Sequence, residues 1–416
     1  MHTSPPWLAV LLTVSSLLSA EAGRAEVSLH GFIQGNYALD TASSNPDARD
    51  SKLAEERAQI KLDADQGPFR LFVKTDLAWD HLDDKEVLEL REGTIDYTAS
   101  SWDIKLGRQM VTWGLGDLVF INDVFPKDYE AFFSGRPLEY MKKGVDGVKI
   151  GLYPSVASFE VIAIPLFTAN HFPDSRRFWL YDPLPGVASR QTAEPTSSHE
   201  NTEVAVRAYR DIAGFDLSLY GYRGFYRQPA MQADPPSAPT RLTLWYPKLA
   251  VYGASLQGSA LEGVMSLEAG YYDSRDDRDG DNPMIPNSQA RFLIGYQRQF
   301  WEDFTVGVQY YGERMLDHGD YTATLPPGMP AEKRLHELVS VRLTQLLMHQ
   351  TLKLSLFAFW GLSSADYLVN PEVKYNFTDQ VWGALGVYIF GGGDHWSQFG
   401  QLDRNDSAYL QIRYEF

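Results

Sequence analysis

Three Asp-His pairs carry the residue types of acid-base catalysis: Asp80 with His81, Asp317 with His318, and Asp394 with His395. A carboxylate that orients an imidazole makes a general base. No nucleophile is paired with any of them, and all three fall in expected connections, so they read as solvated loop residues and no catalytic residue or enzyme activity is expected. Asp277, Asp279 and Asp281 repeat at the spacing of a calcium loop, but Asn282 stands where such a loop needs glycine for its turn. That stretch reads as a solvated acidic loop, not a metal site. The chain has no cysteine, which removes disulfides, zinc-thiolate sites, iron-sulfur clusters and covalent c-type haem. No cofactor is expected in the chain itself, and any redox group would sit in a partner.

Charge without acid-base chemistry can still filter ions. The connection from Gly114 to Gly144 mixes large apolar residues (Leu115, Leu118, Val119, Phe120, Ile121, Val124, Phe125, Phe132, Phe133) with Asp117, Asp123, Lys127, Asp128, Glu130, Arg136 and Glu139. It is too apolar to lie on a wet surface and must be buried somewhere. If it folds back into a lumen, its charged residues line a constriction, with Arg108 at its base; if it does not, it latches onto a neighbouring copy of the chain. Turning Arg108 inward requires a β-bulge at Gly107, which would send Val111 and Trp113 outward. An inward aromatic set, Phe357, Phe359, Trp382, Tyr388 and Phe390, either packs against this loop or forms a track on which sugars stack.

The elements that must position these residues follow from a hydrophobic period of two. From Val27 onward, segments of nine to thirteen residues alternate apolar and polar positions, the pattern of membrane-spanning strands. In the last of them Ala408, Leu410, Ile412, Tyr414 and Phe416 suit lipid, whereas Tyr409, Gln411, Arg413 and Glu415 suit a wet interior. About eighteen such strands are expected, among them 102–113 and 244–256, joined by short and long connections in alternation. The expected fold is therefore all-β: a closed antiparallel transmembrane barrel spanning 26–416, with the long third outer loop folded into the lumen. Apart from the N-terminus, no apolar run is long enough for a membrane helix.

Residues 1–25 have an apolar stretch from Trp7 to Leu18 followed by small residues, which reads as a signal peptide cut after Ala22 or Ala25. The formal charge of −17 argues against nucleic-acid binding. Tyr414 and Phe416 end the chain in a way that resembles the assembly signal of bacterial outer-membrane proteins. The strand pair LREGTIDYT from Leu90 and IKLGRQMVTWG from Ile104 resembles one in porin-like and alginate-export-type outer-membrane channels.

That resemblance implies a location in the outer membrane of a Gram-negative cell, contact with its lipid and lipopolysaccharide, and assembly by the barrel-assembly machinery. A homo-oligomer fits the same class. A porin-like channel for small hydrophilic solutes is the first expected function, since barrels of this size leave an aqueous channel. An export channel for an anionic polymer is the second. A barrel sheathing a multihaem cytochrome partner that carries electrons is the third.

Overall fold

The computed structural model describes residues 26–42, 50–180, 182, 184–235, 239–327 and 329–416. The expected signal peptide, with its cleavage after Ala22 or Ala25, lies outside them. Eighteen strands form one antiparallel sheet whose first strand, β1 (Glu26–Asp40), pairs with the last, β21 (Ser407–Glu415), so the sheet is closed. Closure continues past the ladder, because Gly31 and Phe416 exchange backbone hydrogen bonds of 2.9 Å in both directions. Gly31 is required there: a Cβ would stand 2.7 Å from the Phe416 ring and 2.3 Å from the Gln59 carbonyl.

The polarity of the wall is that of a membrane barrel, inverted from a soluble protein. On β21 Leu410, Ile412 and Tyr414 are exposed, while Tyr409, Gln411 and Arg413 are buried. On β2 (Ser51–Gln66) the inward set is Glu55, Arg57 and Gln59, with Ile60 turned outward. Lipid replaces water as the medium that the apolar residues meet, and pairing of the first strand with the last closes the ladder.

One end of the barrel is closed by short turns. Leu261 and Glu262 make a two-residue turn with both φ values positive, 53° and 60°, the geometry that matches the twist of hairpin strands. Long connections occupy the other end, with one difference from expectation. Residues 81–84 are a four-residue turn, because Lys85 to Val87 still pair with Ala78 to Asp80. The connections 165–202 and 226–247 are joined by a small second sheet, in which β12 (Arg241–Trp245) lies between β8 (Ser189–Ala193) and β11 (Ala230–Asp234).

The bulge expected at Gly107 is not there. Pairing runs unbroken through Gly93 with Arg108 and Arg108 with Asp146. The extra residue instead belongs to β4 (Lys85–Thr98), where Lys74 pairs with Glu92 but Thr75 with Leu90, so Arg91 is inserted. Its signal is in the chain: outward residues are even-numbered at Leu88 and Leu90 but odd-numbered by Ile95. Gly107 has another task. Its φ is +119°, and a Cβ would stand 2.1 Å from the Gly93 carbonyl.

Candidate functional site: a loop across the lumen

Strand β5 (Trp102–Gln109) ends four residues before expectation, because the chain turns into the lumen at Met110. Val111 and Trp113 are buried inside, not outward: Trp113 donates from Nε1 to Glu160 at 3.1 Å and packs its ring against Phe125 and Tyr220. From there residues 114–144 reach both sides of the barrel interior.

The first part of the loop is seated on β14 (Gly263–Ser274), β16 (Phe304–Met315) and β17 (Leu335–Leu347). The Glu268 carboxylate accepts from the amides of Leu115 at 2.7 Å and Asn122 at 2.8 Å. The Asp117 amide donates to Gln309 at 2.9 Å, and its carboxylate meets Arg342, whose Nη2 lies 2.8 Å from Oδ1. Ile121 is fully buried, and its carbonyl accepts from the Tyr272 hydroxyl.

The second part is seated on another arc of the wall, from β20 (Val381–Gly391) round to β4. A one-turn helix, α1 (Tyr129–Phe133), is capped by Asp128, which accepts from the Ala131 amide at 2.7 Å. Phe132 and Phe133 pack edge-on against Tyr388 and Phe390 at centroid distances of 5.7 and 5.6 Å. Arg136 bonds Glu55 at 2.9 Å, and Arg413 bonds Glu139 at 2.6 Å. The Tyr140 ring packs against two guanidinium groups, Arg57 at 4.7 Å and Arg91 at 4.6 Å. Arg91 also donates to the Glu139 and Lys142 carbonyls at 3.0 and 3.2 Å.

The expected constriction residues therefore separate by role. Asp117 and Glu139 keep side chains 39% and 31% exposed and are each paired to a wall arginine. Asp123 and Lys127 are paired with each other at 2.8 Å and buried at 3% side-chain exposure each, which takes them off the wet surface. Arg136 is held on Glu55 at 2.9 Å, and Glu130 is buried between Arg177 at 3.4 Å and the Asp174 amide at 2.9 Å. Asp128 faces His171 at 3.1 Å.

Arg108 is a correction. It keeps the outward parity of Leu106, because no residue is inserted at Gly107, and it pairs with Asp146 through Nε at 2.9 Å and Nη2 at 2.6 Å. It does not meet the loop's carboxylates. The cost of an outward arginine is met by that paired carboxylate and by its place one residue from the strand end, where a long side chain reaches polar surroundings. The basic residue that a bulge does turn inward at the base of the loop is Arg91.

A second loop, unforeseen, clamps the first. Arg177, buried at 4%, bonds Asp80, Asp83 and Glu130 together, and Asn170 accepts from the Lys127 amide at 2.8 Å. Burial raises the Asp128 carboxyl, yet the His171 hydrogen bond and charge outweigh it and hold it below the usual carboxylate range. The same hydrogen bond raises His171 above its ordinary value. Burial raises the Glu130 carboxyl. The inward aromatics divide in the same way: Phe359 stacks on Phe399 and Tyr388 and Phe390 pack on the loop, whereas Trp382 lies under Lys374 at 3.9 Å. The Asp-His pairs are split between partners, Asp80 bonding Arg177 while His81 bonds Glu56. Asp277 caps the amides of Asp281 and Asn282 at 3.2 Å each.

Closed sheet, apolar outer wall and polar interior define a transmembrane β-barrel of porin fold. Among solved structures the chain is similar to Pseudomonas aeruginosa OccD3 (OpdP), with a TM-score of 0.57 and 11% identity over 94% of this chain and 91% of that one. It is similar also to Pseudomonas aeruginosa OccK11 (OpdR), at TM-score 0.56 and 10% identity over 94% and 96% of the two chains. Acinetobacter baumannii OccAB2 gives TM-score 0.55 and 10% identity over 94% and 98%. No protein-family model and no curated protein sequence matches the chain.

Proposed function

We propose that this barrel is a porin-like channel that passes small hydrophilic solutes through an eyelet bordered by the loop 114–144. The observation that carries this reading is the double anchoring of the loop. Asp117 is held on Arg342 of one wall and Glu139 on Arg413 of another, so the bore is narrowed while charged groups remain at its edge. On the same wall Lys61, Lys353 and Lys374 face inward without a carboxylate within salt-bridge distance among the described residues, which favours anions over cations in the passage.

A polymer-export channel or a sheath around a cytochrome needs a wide bore, and a loop pinned across the lumen takes up that room. Of the expected site residues, Asp117 and Glu139 border the eyelet directly, while Asp123, Lys127, Asp128, Glu130 and Arg136 hold the loop in shape. The mature chain starts after Ala22 or Ala25 and assembles through Tyr414 and Phe416 by the barrel-assembly machinery. The loop is engaged with its own barrel, so it is not the surface that would join a homo-oligomer. Deleting residues 118–139 tests the reading: single-channel conductance in planar bilayers rises severalfold with the barrel still folded. An unchanged conductance overturns it.

A further inference from the structure

Among the described residues three pairs of lysines stand directly opposite one another on the inner face of the wall: Lys61 with Lys74, Lys105 with Lys149, and Lys353 with Lys374. Like charges placed directly across two strands repel, so each pair needs a counter-charge. Two of them have one. Lys105 meets Asp96 at 3.0 Å and Lys149 meets Glu160 at 3.6 Å, while Lys74 lies 3.9 Å from Glu92. Lys353 and Lys374 have no carboxylate within salt-bridge distance among the described residues.

The carboxylates around this third pair are engaged elsewhere. Glu372, two residues from Lys374 on the same face of β19 (Tyr367–Asn376), accepts from the Tyr409 hydroxyl at 2.8 Å. Glu415 accepts from Trp382 Nε1 at 3.0 Å and faces Arg413 at 3.8 Å. What holds Lys374 is the Trp382 ring, whose centre lies 3.9 Å from the ammonium and fixes the charge without neutralising it. Lys353 makes no ion pair or hydrogen bond among the described residues.

The pair also has a defined place on the path through the barrel. Lys353 is next to the start of β18 (Leu352–Gly361) and Lys374 is near the end of β19, so both sit toward the end closed by short turns. Ser355, the next inward residue on β18, stands opposite Thr344 of β17, and neither hydroxyl has a partner among the described residues. Thr344 follows Arg342 on that face, and Arg342 holds Asp117 of the loop. A solute that clears the loop at Asp117 meets Thr344, Ser355 and the two lysines next on this wall.

We propose that Lys353 and Lys374, with the hydroxyls of Ser355 and Thr344, form a subsite for a phosphate dianion, free or as the monoester of a small solute. Charge selects the ligand: one carboxylate neutralises one ammonium, whereas a phosphate dianion neutralises both and its remaining oxygens accept from the hydroxyls. Directly opposite residues have Cβ atoms about 5 Å apart, so two lysine side chains converge on one phosphate. The assignment deepens the channel reading above and rests on it, because the ligand arrives through the bore.

The test uses the full-length folded protein in planar bilayers at pH 8, where phosphate is mostly the dianion, with chloride as the current carrier at fixed ionic strength. Inorganic phosphate on both sides blocks the wild-type current, and acetate at the same concentration blocks it far less. Lys353→Gln and Lys374→Gln each remove a repulsion, so the barrel stays folded, and each raises the phosphate concentration for half-block about tenfold. Lys353→Arg keeps the block, and Lys105→Gln, in a pair that is already neutralised, leaves it unchanged. Glycerol phosphate distinguishes the sources: half-block at or below the inorganic phosphate concentration assigns the monoester, and a higher concentration assigns the free ion. The proposal is overturned if acetate blocks as deeply as phosphate, or if the double variant Lys353→Gln with Lys374→Gln is blocked as wild type is. A folded barrel that carries no chloride current overturns the channel reading instead. Urea unfolding then decides the site: phosphate raises the wild-type midpoint more than that of the double variant, and an equal rise overturns the proposal.

Discussion

Glu55 is the residue on which the second half of the loop is hung, and Glu55→Gln removes its charge with almost no change in shape. The carboxylate is 1% exposed and shared by Arg136 at 2.9 Å and Arg57 at 3.0 Å. Arg57 keeps Asp76 at 2.8 Å, so the group left without a close counter-charge is Arg136, itself 12% exposed. Breaking a buried pair from one side costs about 3–5 kcal/mol, and the glutamine oxygen still accepts a hydrogen bond, so about 3 kcal/mol applies here. That corresponds to an increase of about 150-fold in the population with the loop displaced. Phe132, Phe133 and the Arg413 to Glu139 pair still hold the loop, so displacement is transient. The expected record in a planar bilayer is frequent brief steps to higher conductance that are rare in wild type. Glu55→Gln with Arg136→Gln removes the orphaned charge and returns the record toward wild type. Quiet records from Glu55→Gln, with the barrel shown to be folded by its heat-shifted migration on a gel, refute the idea that this pair restrains the loop.

Gly107→Ala forces a Cβ to 2.1 Å from the Gly93 carbonyl at a φ of +119°, and the barrel unfolds in urea with a loss of about 2 kcal/mol or more. Arg108→Gln leaves ion selectivity unchanged in a salt gradient because its side chain lies on the outer face, whereas Arg342→Gln shifts selectivity toward cations. The clasp of Asp128 and His171 has a pH window. Its raised His171 contribution is complete below the ordinary 6.5 and lost as pH climbs through the raised value, and its lowered Asp128 contribution is complete above the ordinary 3.8 and lost as pH falls through the lowered one. Protection of the 128–134 amides, their exchange corrected for the intrinsic pH-dependent rate, is therefore greatest between those limits, and His171→Phe abolishes the alkaline-side change.

The sequence by itself determined the barrel. Alternation with a period of two separates a lipid face from an interior face at every strand, and turn residues mark the ends, so both the number of strands and the location of nearly all of them follow from local chemistry. The apolar content of 114–144 likewise required burial, whatever it was buried against. What the sequence left open was parity and partnership. Moving one inserted residue from Gly107 to Arg91 exchanges which arginine faces the lumen, because a single residue flips every side chain after it, and only pairing with the neighbouring strand decides where the insertion falls. Ion pairs such as Arg342 with Asp117, 225 positions apart, and Arg413 with Glu139, 274 apart, carry no local signal. The tertiary structure decided which loop charges stay at the water's edge and which are buried as fasteners, since burial depends on what closure of the barrel brings against them.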